Sequence, residues 1–161
     1  MTNILQWNIR GLQANKEEPD MLLSHTHPSI VSLHETFPKT NKVITFKGYS
    51  CYHSYATEVN DVAHGGSAIL VNSSTHHRQL NLQTCLQAVA IRATYRKTIT
   101  VCSIYLPPSM VFNISDFYDL LQQLPPPVLI TGDFNSHRAA QNWIAEERWW
   151  KTFLLNVIYA F

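Results

Sequence analysis

The sequence predicts a sheet-rich α/β domain, and three observations lead to that prediction. Short apolar runs of β-forming residues recur along the chain and are separated mostly by turn and hairpin signals. Before residue 139, only two segments, residues 16–25 and 114–124, show the spacing of apolar residues that is typical of a helix. The regular alternation of strand and helix that builds a parallel sheet is not present. A length of 161 residues fits one such domain.

Each predicted element rests on a local signal. Residues 4–7 form an apolar run that Asn-Ile-Arg-Gly breaks, and residues 29–34 form a second run. Pro28 ends the first helix, because a proline disfavours helix in the residue before it. Arg96-Lys97 separates two β-type runs as a hairpin signal. The remaining predicted strands cover residues 43–46, 49–55, 68–71, 86–95, 98–105 and 128–131.

Composition indicates a folded globular protein but does not identify a binding partner. Hydrophobic residues make up 45% of the chain and charged residues 14%, against about 25% in an average protein, so a disordered chain is not expected. A net charge of +1 neither indicates nor excludes nucleic acid, because a local basic face can bind phosphates on a neutral protein. The three cysteines form no C-x-x-C pair and lie in apolar runs, which predicts buried, reduced thiols.

The ends and apolar segments of the chain predict an intracellular protein. Residues 1–11 lack the basic region and apolar stretch of a signal peptide, so secretion is not expected. No run reaches 18 apolar residues, so no membrane partner is expected either. The sequence carries no signal for an oligomeric state.

Polar side chains follow the predicted strands at the points where the strands end. These residues are Asn8, Glu35, Tyr105, Asp133 and Asn135. If the strands lie together, their loops converge at one edge and present these side chains to a ligand. Carboxylate and amide oxygens are ligands that Mg²⁺ accepts, and an amide N–H can donate to a phosphate oxygen. The pattern therefore suits a phosphate diester as substrate.

Plainer interpretations stand beside this one. Gly-Asp-Phe-Asn is also a turn sequence, Glu35 alone is typical of a surface carboxylate, and Asn8 alone is typical of a turn. Zinc is the rival metal, through His25, His27, His76 and His77, but no further ligand stands at the usual spacing. A serine hydrolase would need a G-x-S-x-G elbow, and Ser67 follows Gly-Gly without that pattern.

Five motifs follow one another along the chain: LQWNIRG (residues 5–11), IVSLHET (30–36), GGSAIL (65–70), SIYLPP (103–108) and ITGDFNSH (130–137). In this order they resemble the motifs of the endonuclease/exonuclease/phosphatase superfamily, which includes DNase I-like nucleases, apurinic endonucleases and inositol phosphatases. The first and the last of them are most similar to the endonuclease domain of non-LTR retrotransposons. The resemblance covers residues 4–137. It implies two β-sheets packed face to face with outer helices, the DNase I-like sandwich, with its last strands missing.

The resemblance also implies an activity, a cofactor and a role for each site residue. The activity is Mg²⁺-dependent hydrolysis of DNA phosphodiester bonds, with Mn²⁺ as a substitute ion, and it would take place in the nucleus on genomic DNA. Asn8 and Glu35 would hold the metal, and Tyr105 would stabilise charge at the scissile phosphate. Asp133 would orient or deprotonate the attacking water, and Asn135 would bind the phosphate.

Two further residues, Arg10 and His137, would contact DNA by the same resemblance. The chain departs from the family after residue 138, because it contains no Ser-Asp-His motif, no aspartate after Asp133 and no histidine after His137. Residues 1–138 are therefore interpreted as the N-terminal portion of the domain. Residues 139–161 form a divergent, Trp-rich tail with helical spacing. Impaired nicking, a non-catalytic remnant or binding module, and a phosphatase for a small phosphoester remain alternatives.

Overall fold

The computed structural model of the chain describes residues 3–37, 44–54, 57–59, 62–94, 97–108 and 113–134. The strands within these residues are β1 (Ile4–Asn8), β2 (Ile30–His34), β3 (Tyr49–Ser54), β4 (Thr57–Val59), β5 (Val62–His64), β6 (Ser67–Asn72), β7 (His76–Leu80), β8 (Gln87–Thr94), β9 (Thr98–Tyr105) and β10 (Val128–Asp133). The helices are α1 (Glu17–Thr26) and α2 (Ile114–Gln122).

The strands form two four-stranded sheets and a small hairpin. Sheet one has the order β1-β2-β6-β3, sheet two has the order β10-β9-β8-β7, and β4 pairs with β5. In sheet one β1 is parallel to β2, and in sheet two β10 is parallel to β9. The other pairs are antiparallel. The two sheets pack face to face, which confirms the predicted sandwich.

Three apolar clusters hold the layers together. The cluster between the sheets includes Ile30 and Ile69 of sheet one with Ile91 and Val101 of sheet two. Alternate residues of sheet one face outward and pack with Leu23 of α1. The outer face of sheet two packs in the same way against α2, whose buried residues are Phe117 and Leu120. Because side chains alternate between the two faces of a strand, each sheet serves both an inner and an outer layer.

The inner faces of four strands change from apolar to polar along their length. Read toward the C-terminal end of each strand, these faces are Ile4-Gln6-Asn8, Ile30-Ser32-His34, Val101-Ser103-Tyr105 and Leu129-Thr131-Asp133. Pairing of β1 with β2 and of β9 with β10 places the polar residues side by side. One end of the space between the sheets is therefore apolar, and the other end carries the predicted site.

Most predicted elements agree with the structure. Residues 44–46 are an exception, because the predicted strand there is reduced to a single bridge between Phe46 and Tyr49. The sequence HHRQL was not predicted as strand β7, because a single apolar residue, Leu80, is too few to mark a strand. Cys85 is exposed, so the expectation that all three thiols are buried is wrong for that residue. The predicted helix in residues 139–161 lies outside the described residues.

Gly132 allows β10 to approach β9 closely, which gives a first prediction. A Cβ atom at Gly132 would lie 2.7 Å from Ile104 Cγ2 and 2.8 Å from the Ile104 carbonyl oxygen. We expect Gly132→Ala to lower the free energy of unfolding by about 1–3 kcal/mol, because the strands must shift apart. Urea denaturation measures this effect, and Gln13→Ala in an exposed turn is the control. Equal midpoints for the two variants would contradict the prediction.

Candidate active site

Four of the predicted site residues meet at the polar end of the sandwich, with Asn8 between them. Asn8 ends β1, Glu35 directly follows β2, and Asp133 ends β10 in the opposite sheet. The Asn8 Nδ2 group donates to Glu35 Oε1 at 2.9 Å and to Asp133 Oδ2 at 3.0 Å. The Tyr105 hydroxyl donates to the same Glu35 oxygen at 3.5 Å. The structure thus brings two carboxylates, one from each sheet, to a single amide group.

The backbone at Glu35 is strained and held on both sides. Its φ of 53° lies in the left-handed region, which costs a non-glycine residue about 1–2 kcal/mol. The Glu35 carbonyl accepts a hydrogen bond from Gly11 N at 2.7 Å. Phe37 N, two residues later, donates to the Gly65 carbonyl at 2.9 Å. Such strain persists where the surroundings over-determine the conformation, and here it turns the carboxylate toward Asn8.

The Gly65-Gly66 turn supports both Glu35 and Tyr105. A Cβ atom on Gly65 would lie 2.6 Å from Tyr105 Cε1, so only glycine lets the ring pack there. Gly66 N donates to the side-chain oxygen of Gln87, which is paired with Tyr105 across β8 and β9. The same turn accepts the backbone bonds of the segment after Glu35. The two glycines of the GGSAIL motif therefore help to position Glu35 and Tyr105.

A buried polar cluster lies next to this site, between the two sheets. Thr131 Oγ1 donates to Ser32 Oγ at 2.7 Å, and Ser32 Oγ donates to Ser103 Oγ at 2.7 Å. His34 Nε2 lies 3.3 Å from the Ser32 hydroxyl oxygen and 3.2 Å from that of Ser103. All four residues are buried, and His34 Nδ1 has no hydrogen-bond partner within the described residues. These bonds cross the sandwich and join sheet one to sheet two.

Burial lowers the pKa of His34 from 6.5 to about 4, although the nearby Asp133 carboxylate acts in the opposite direction. The imidazole is therefore neutral at neutral pH. It has no exposed surface, so it cannot reach a substrate from its present position. Its Nε2 atom lies among the hydroxyl groups of the buried cluster, which assigns the imidazole a structural rather than a proton-transfer role.

This pKa predicts a pH dependence of stability. Because the unfolded chain binds a proton at His34 near pH 6.5 and the folded chain only near pH 4, stability falls as the pH decreases between these values. We expect a loss of about 2 kcal/mol between pH 7 and pH 5, because each pH unit inside that window is worth about 1.4 kcal/mol. Urea midpoints at pH 7 and pH 5 measure it, with His34→Gln as the comparison. The lowered pKa of His53 acts in the same direction, so the variant should retain part of the slope. An unchanged slope in His34→Gln would contradict the assignment.

Of the three remaining predicted site residues, Arg10 lies within the described part of the chain. Arg10 is exposed in the loop after β1, and its backbone N–H donates to Asn8 Oδ1 at 3.3 Å. Its φ of 48° makes it another left-handed residue near Asn8. Asn135 and His137 lie outside the described residues, so their proposed roles stay predictions. No helix in the described part of the chain is long and apolar enough to span a membrane.

The donor set fits a hard divalent cation. Glu35 and Asp133 both direct a carboxylate oxygen at the Asn8 amide protons, which carry partial positive charge. Mg²⁺ is usually held by one or two carboxylates and keeps several waters. Within residues 3–134, where described, no three His, Cys, Asp or Glu side chains group as a metal site. The Glu35 and Asp133 carboxylates offer oxygen ligands, which suit Mg²⁺ better than zinc, because zinc prefers nitrogen and sulfur.

Sequence reasoning missed the residues that support this site. Each of Gln6, Ser103 and Thr131 lies two positions before a site residue on the same strand face, and Ser32 is paired with Gln6 across β1 and β2. The signal that could have found them is a polar residue at every second position in an otherwise apolar strand. The predicted strands include all four residues, but a local pattern does not show that their polar side chains meet between two sheets.

Comparison with known proteins relates the chain to mobile elements. No protein-family model matches it. The chain is 29% identical over 136 residues to the RNA-directed DNA polymerase from mobile element jockey of Drosophila melanogaster, covering 83% of this chain and 15% of that protein. It is 25% identical to the probable RNA-directed DNA polymerase from transposon X-element of the same organism, covering 88% and 15%. The chain thus spans a small part of these relatives.

Solved structures share the fold. The endonuclease domain of TRAS1, a telomere-specific non-LTR retrotransposon, superposes with a TM-score of 0.62 at 18% identity, covering 86% of this chain and 62% of that domain. An AP endonuclease from Archaeoglobus fulgidus superposes with a TM-score of 0.57 at 18% identity, covering 83% and 57%. The chain therefore has the fold of the endonuclease/exonuclease/phosphatase superfamily and resembles its non-LTR retrotransposon members, as the five sequence motifs predicted.

Proposed function

We propose that this chain carries the metal and phosphate site of a DNA-nicking endonuclease from a retrotransposon polyprotein. The observation that carries the proposal is the meeting of Glu35 and Asp133, from opposite sheets, at the amide group of Asn8. Two carboxylates so placed repel each other unless positive charge stands between them. Mg²⁺ is the proposed cofactor, with Mn²⁺ as a substitute, and Glu35 and Asn8 are its proposed ligands.

The carboxamide group of Asn8 must rotate before its oxygen can serve as a metal ligand. Its nitrogen now faces both carboxylates, while its oxygen accepts from Arg10 N. A carboxamide can turn over and exchange the places of oxygen and nitrogen, since the two groups have nearly the same shape. In the absence of an ion the NH₂ group offsets the carboxylate charges, and after the turn the oxygen would face the ion.

The other side chains have roles that follow from their chemistry. Asp133 would orient the attacking water and accept its proton as the new P–O bond forms and the bond to the leaving oxygen breaks. The Tyr105 hydroxyl, and Asn135 by analogy, would donate to phosphate oxygens, where negative charge increases in the transition state. A bound divalent ion would neutralise part of that charge. Arg10 and His137 are proposed to contact the DNA backbone, as cations and hydrogen-bond donors do.

DNA is preferred over a small phosphoester as the proposed substrate because of the relatives. The structural neighbours include the TRAS1 endonuclease domain and an AP endonuclease, and the sequence relatives are mobile-element polymerases. An enzyme of this kind would act on genomic DNA, so we propose the nucleus as its site of action. The phosphatase alternative rests on the superfamily alone.

A supercoiled-plasmid assay tests the proposal. We expect slow, Mg²⁺-dependent conversion to the nicked circle, stopped by a chelator and by Asp133→Ala. Asp20→Ala, an exposed carboxylate on α1, is the matched control and should nick at the same rate as the wild type. Release of phosphate from a small monoester without nicking would favour the phosphatase. Failure to bind Mg²⁺ or Mn²⁺ would leave the non-catalytic remnant and overturn the proposal.

A further inference from the structure

We propose that Gln6 is a positioning residue that holds Asp133 against Asn8. The inference rests on the role proposed above for Asp133. The Gln6 side-chain nitrogen donates to the Gly132 carbonyl at 3.0 Å, across 126 residues of sequence and from one sheet to the other. Gly132 immediately precedes Asp133, so this bond anchors the peptide from which the carboxylate extends.

The Gly132 carbonyl points away from β9 and can therefore accept the hydrogen bond from Gln6. Successive carbonyls along a strand point to opposite sides. The Asp133 carbonyl accepts from Leu106 N, at the end of β9, so the Gly132 carbonyl points to the other side of β10. Within the described residues β10 is an edge strand on that side. A buried or half-buried carbonyl without a partner is costly, and Gln6 supplies the partner.

Gln6 and Asn8 act as a pair on one face of β1. They are two residues apart, so both side chains point from sheet one toward sheet two. Gln6 bonds the backbone of β10 at Gly132, and Asn8 bonds the side chain of the next residue, Asp133. The first bond sets how far the end of β10 lies from β1. The hydrogen bond from Asn8 to Asp133 can form only at the right distance between these two strands. The binding of a cation beside Glu35 depends on the same distance.

The opposite face of the Gly132 peptide is already fixed. Its Cα packs so closely on Ile104 that a Cβ would lie 2.7 Å from Ile104 Cγ2. The peptide is therefore held by β9 on one side and by Gln6 on the other. Loss of the Gln6 donor leaves contact with β9 intact, so the fold should survive while the end of β10 gains freedom relative to β1.

The test uses the side-chain amide resonances of Asn8 in the isotopically labelled chain, without metal. Gln6→Glu at pH 8 keeps the shape of the side chain and removes the donor, and Gln6→Met keeps its length. Gln79→Glu, an exposed glutamine on β7, is the matched control. We expect both Gln6 variants to keep the dispersed backbone spectrum, while the Asn8 amide protons shift and exchange faster with water. The control should change neither.

Mn²⁺ affinity provides a second readout. Side chains that support metal ligands typically change affinity about 10–100-fold, so we expect a loss of about 10-fold in Gln6→Met, which adds no charge to the site. In an Asp133→Ala background Gln6→Met should have little effect, because Gln6 acts through Asp133. Unchanged Asn8 resonances, an equal loss in both backgrounds, or unfolding of both Gln6 variants would each overturn the inference. If the wild type binds no Mn²⁺, the proposed function fails and the Asn8 resonances alone decide the role of Gln6.

Discussion

Glu35→Gln should weaken the binding of Mn²⁺ by about 100-fold or more, because supporting residues alone typically account for 10–100-fold and Glu35 is a proposed direct ligand. Glutamine has nearly the same shape as glutamate but carries no charge. A glutamine oxygen can still accept from Asn8 Nδ2 and from the Tyr105 hydroxyl, so the hydrogen bonds at 2.9 Å and 3.5 Å can persist while the charge is lost. Only the electrostatic attraction for the ion is removed.

The measurement is a titration of the chain with Mn²⁺, followed by the loss of the free-ion magnetic resonance signal. Glu18→Gln removes the same charge from an exposed position on α1 and should bind as the wild type does. Glu35→Gln should keep the wild-type urea midpoint, or raise it slightly when no ion is present, since carboxylate repulsion with Asp133 is relieved. Equal affinity for Mn²⁺ in wild type and Glu35→Gln would remove Glu35 from the proposed ligands.

The sequence predicted the elements that carry a strong local pattern. The strands that end at Asn8 and Asp133 are apolar runs closed by turn residues, and the structure places both as predicted. The edge strand β7 was missed because its sequence, HHRQL, has a single apolar residue. Tertiary pairing with β8 decides that strand, and pairing partners are not visible in a local pattern.

The convergence of four proposed site residues could be predicted from the sequence, but their geometry could not. Position at strand ends selected Asn8, Glu35, Tyr105 and Asp133, and the strands do converge there. That Asn8 would present nitrogen rather than oxygen depends on a side-chain rotation that no sequence pattern encodes. The left-handed backbone of Glu35 was equally hidden, because this conformation is unusual for glutamate and is imposed by neighbours distant in sequence.

The buried cluster beside the site also shows what sequence patterns omit. Polar residues in apolar strands are ordinarily exposed on one face, yet Ser32, Ser103 and Thr131 turn toward each other between two sheets. Their hydroxyls are satisfied only because both sheets contribute partners. Such a network specifies how the sheets align, since any other alignment leaves buried polar groups without bonds.

This 161-residue chain is expected to nick DNA slowly. In its proposed role Asp133 takes the proton of the attacking water, but the leaving oxygen also needs a proton, and a positioned acid is typically worth about 10²–10⁴ in rate. The one imidazole near Asp133 among the described residues, His34, is fully buried, and burial lowers its pKa to about 4. It is neither exposed nor charged at neutral pH. The histidine of a Ser-Asp-His motif would meet that need, and the chain contains no such motif.

We therefore expect this chain to nick supercoiled plasmid about 10²–10⁴ times more slowly than a version extended through a Ser-Asp-His motif. Initial rates at saturating Mg²⁺ measure the difference. The extended version with Asp133→Ala should lose nicking, and with Asp20→Ala it should keep it, which ties the gain to the site rather than to added stability. Equal urea midpoints for the short and extended chains would further separate chemistry from folding. Nicking by the short chain at the rate of the extended one, and dependent on Asp133, would show that the described site already contains the acid it needs.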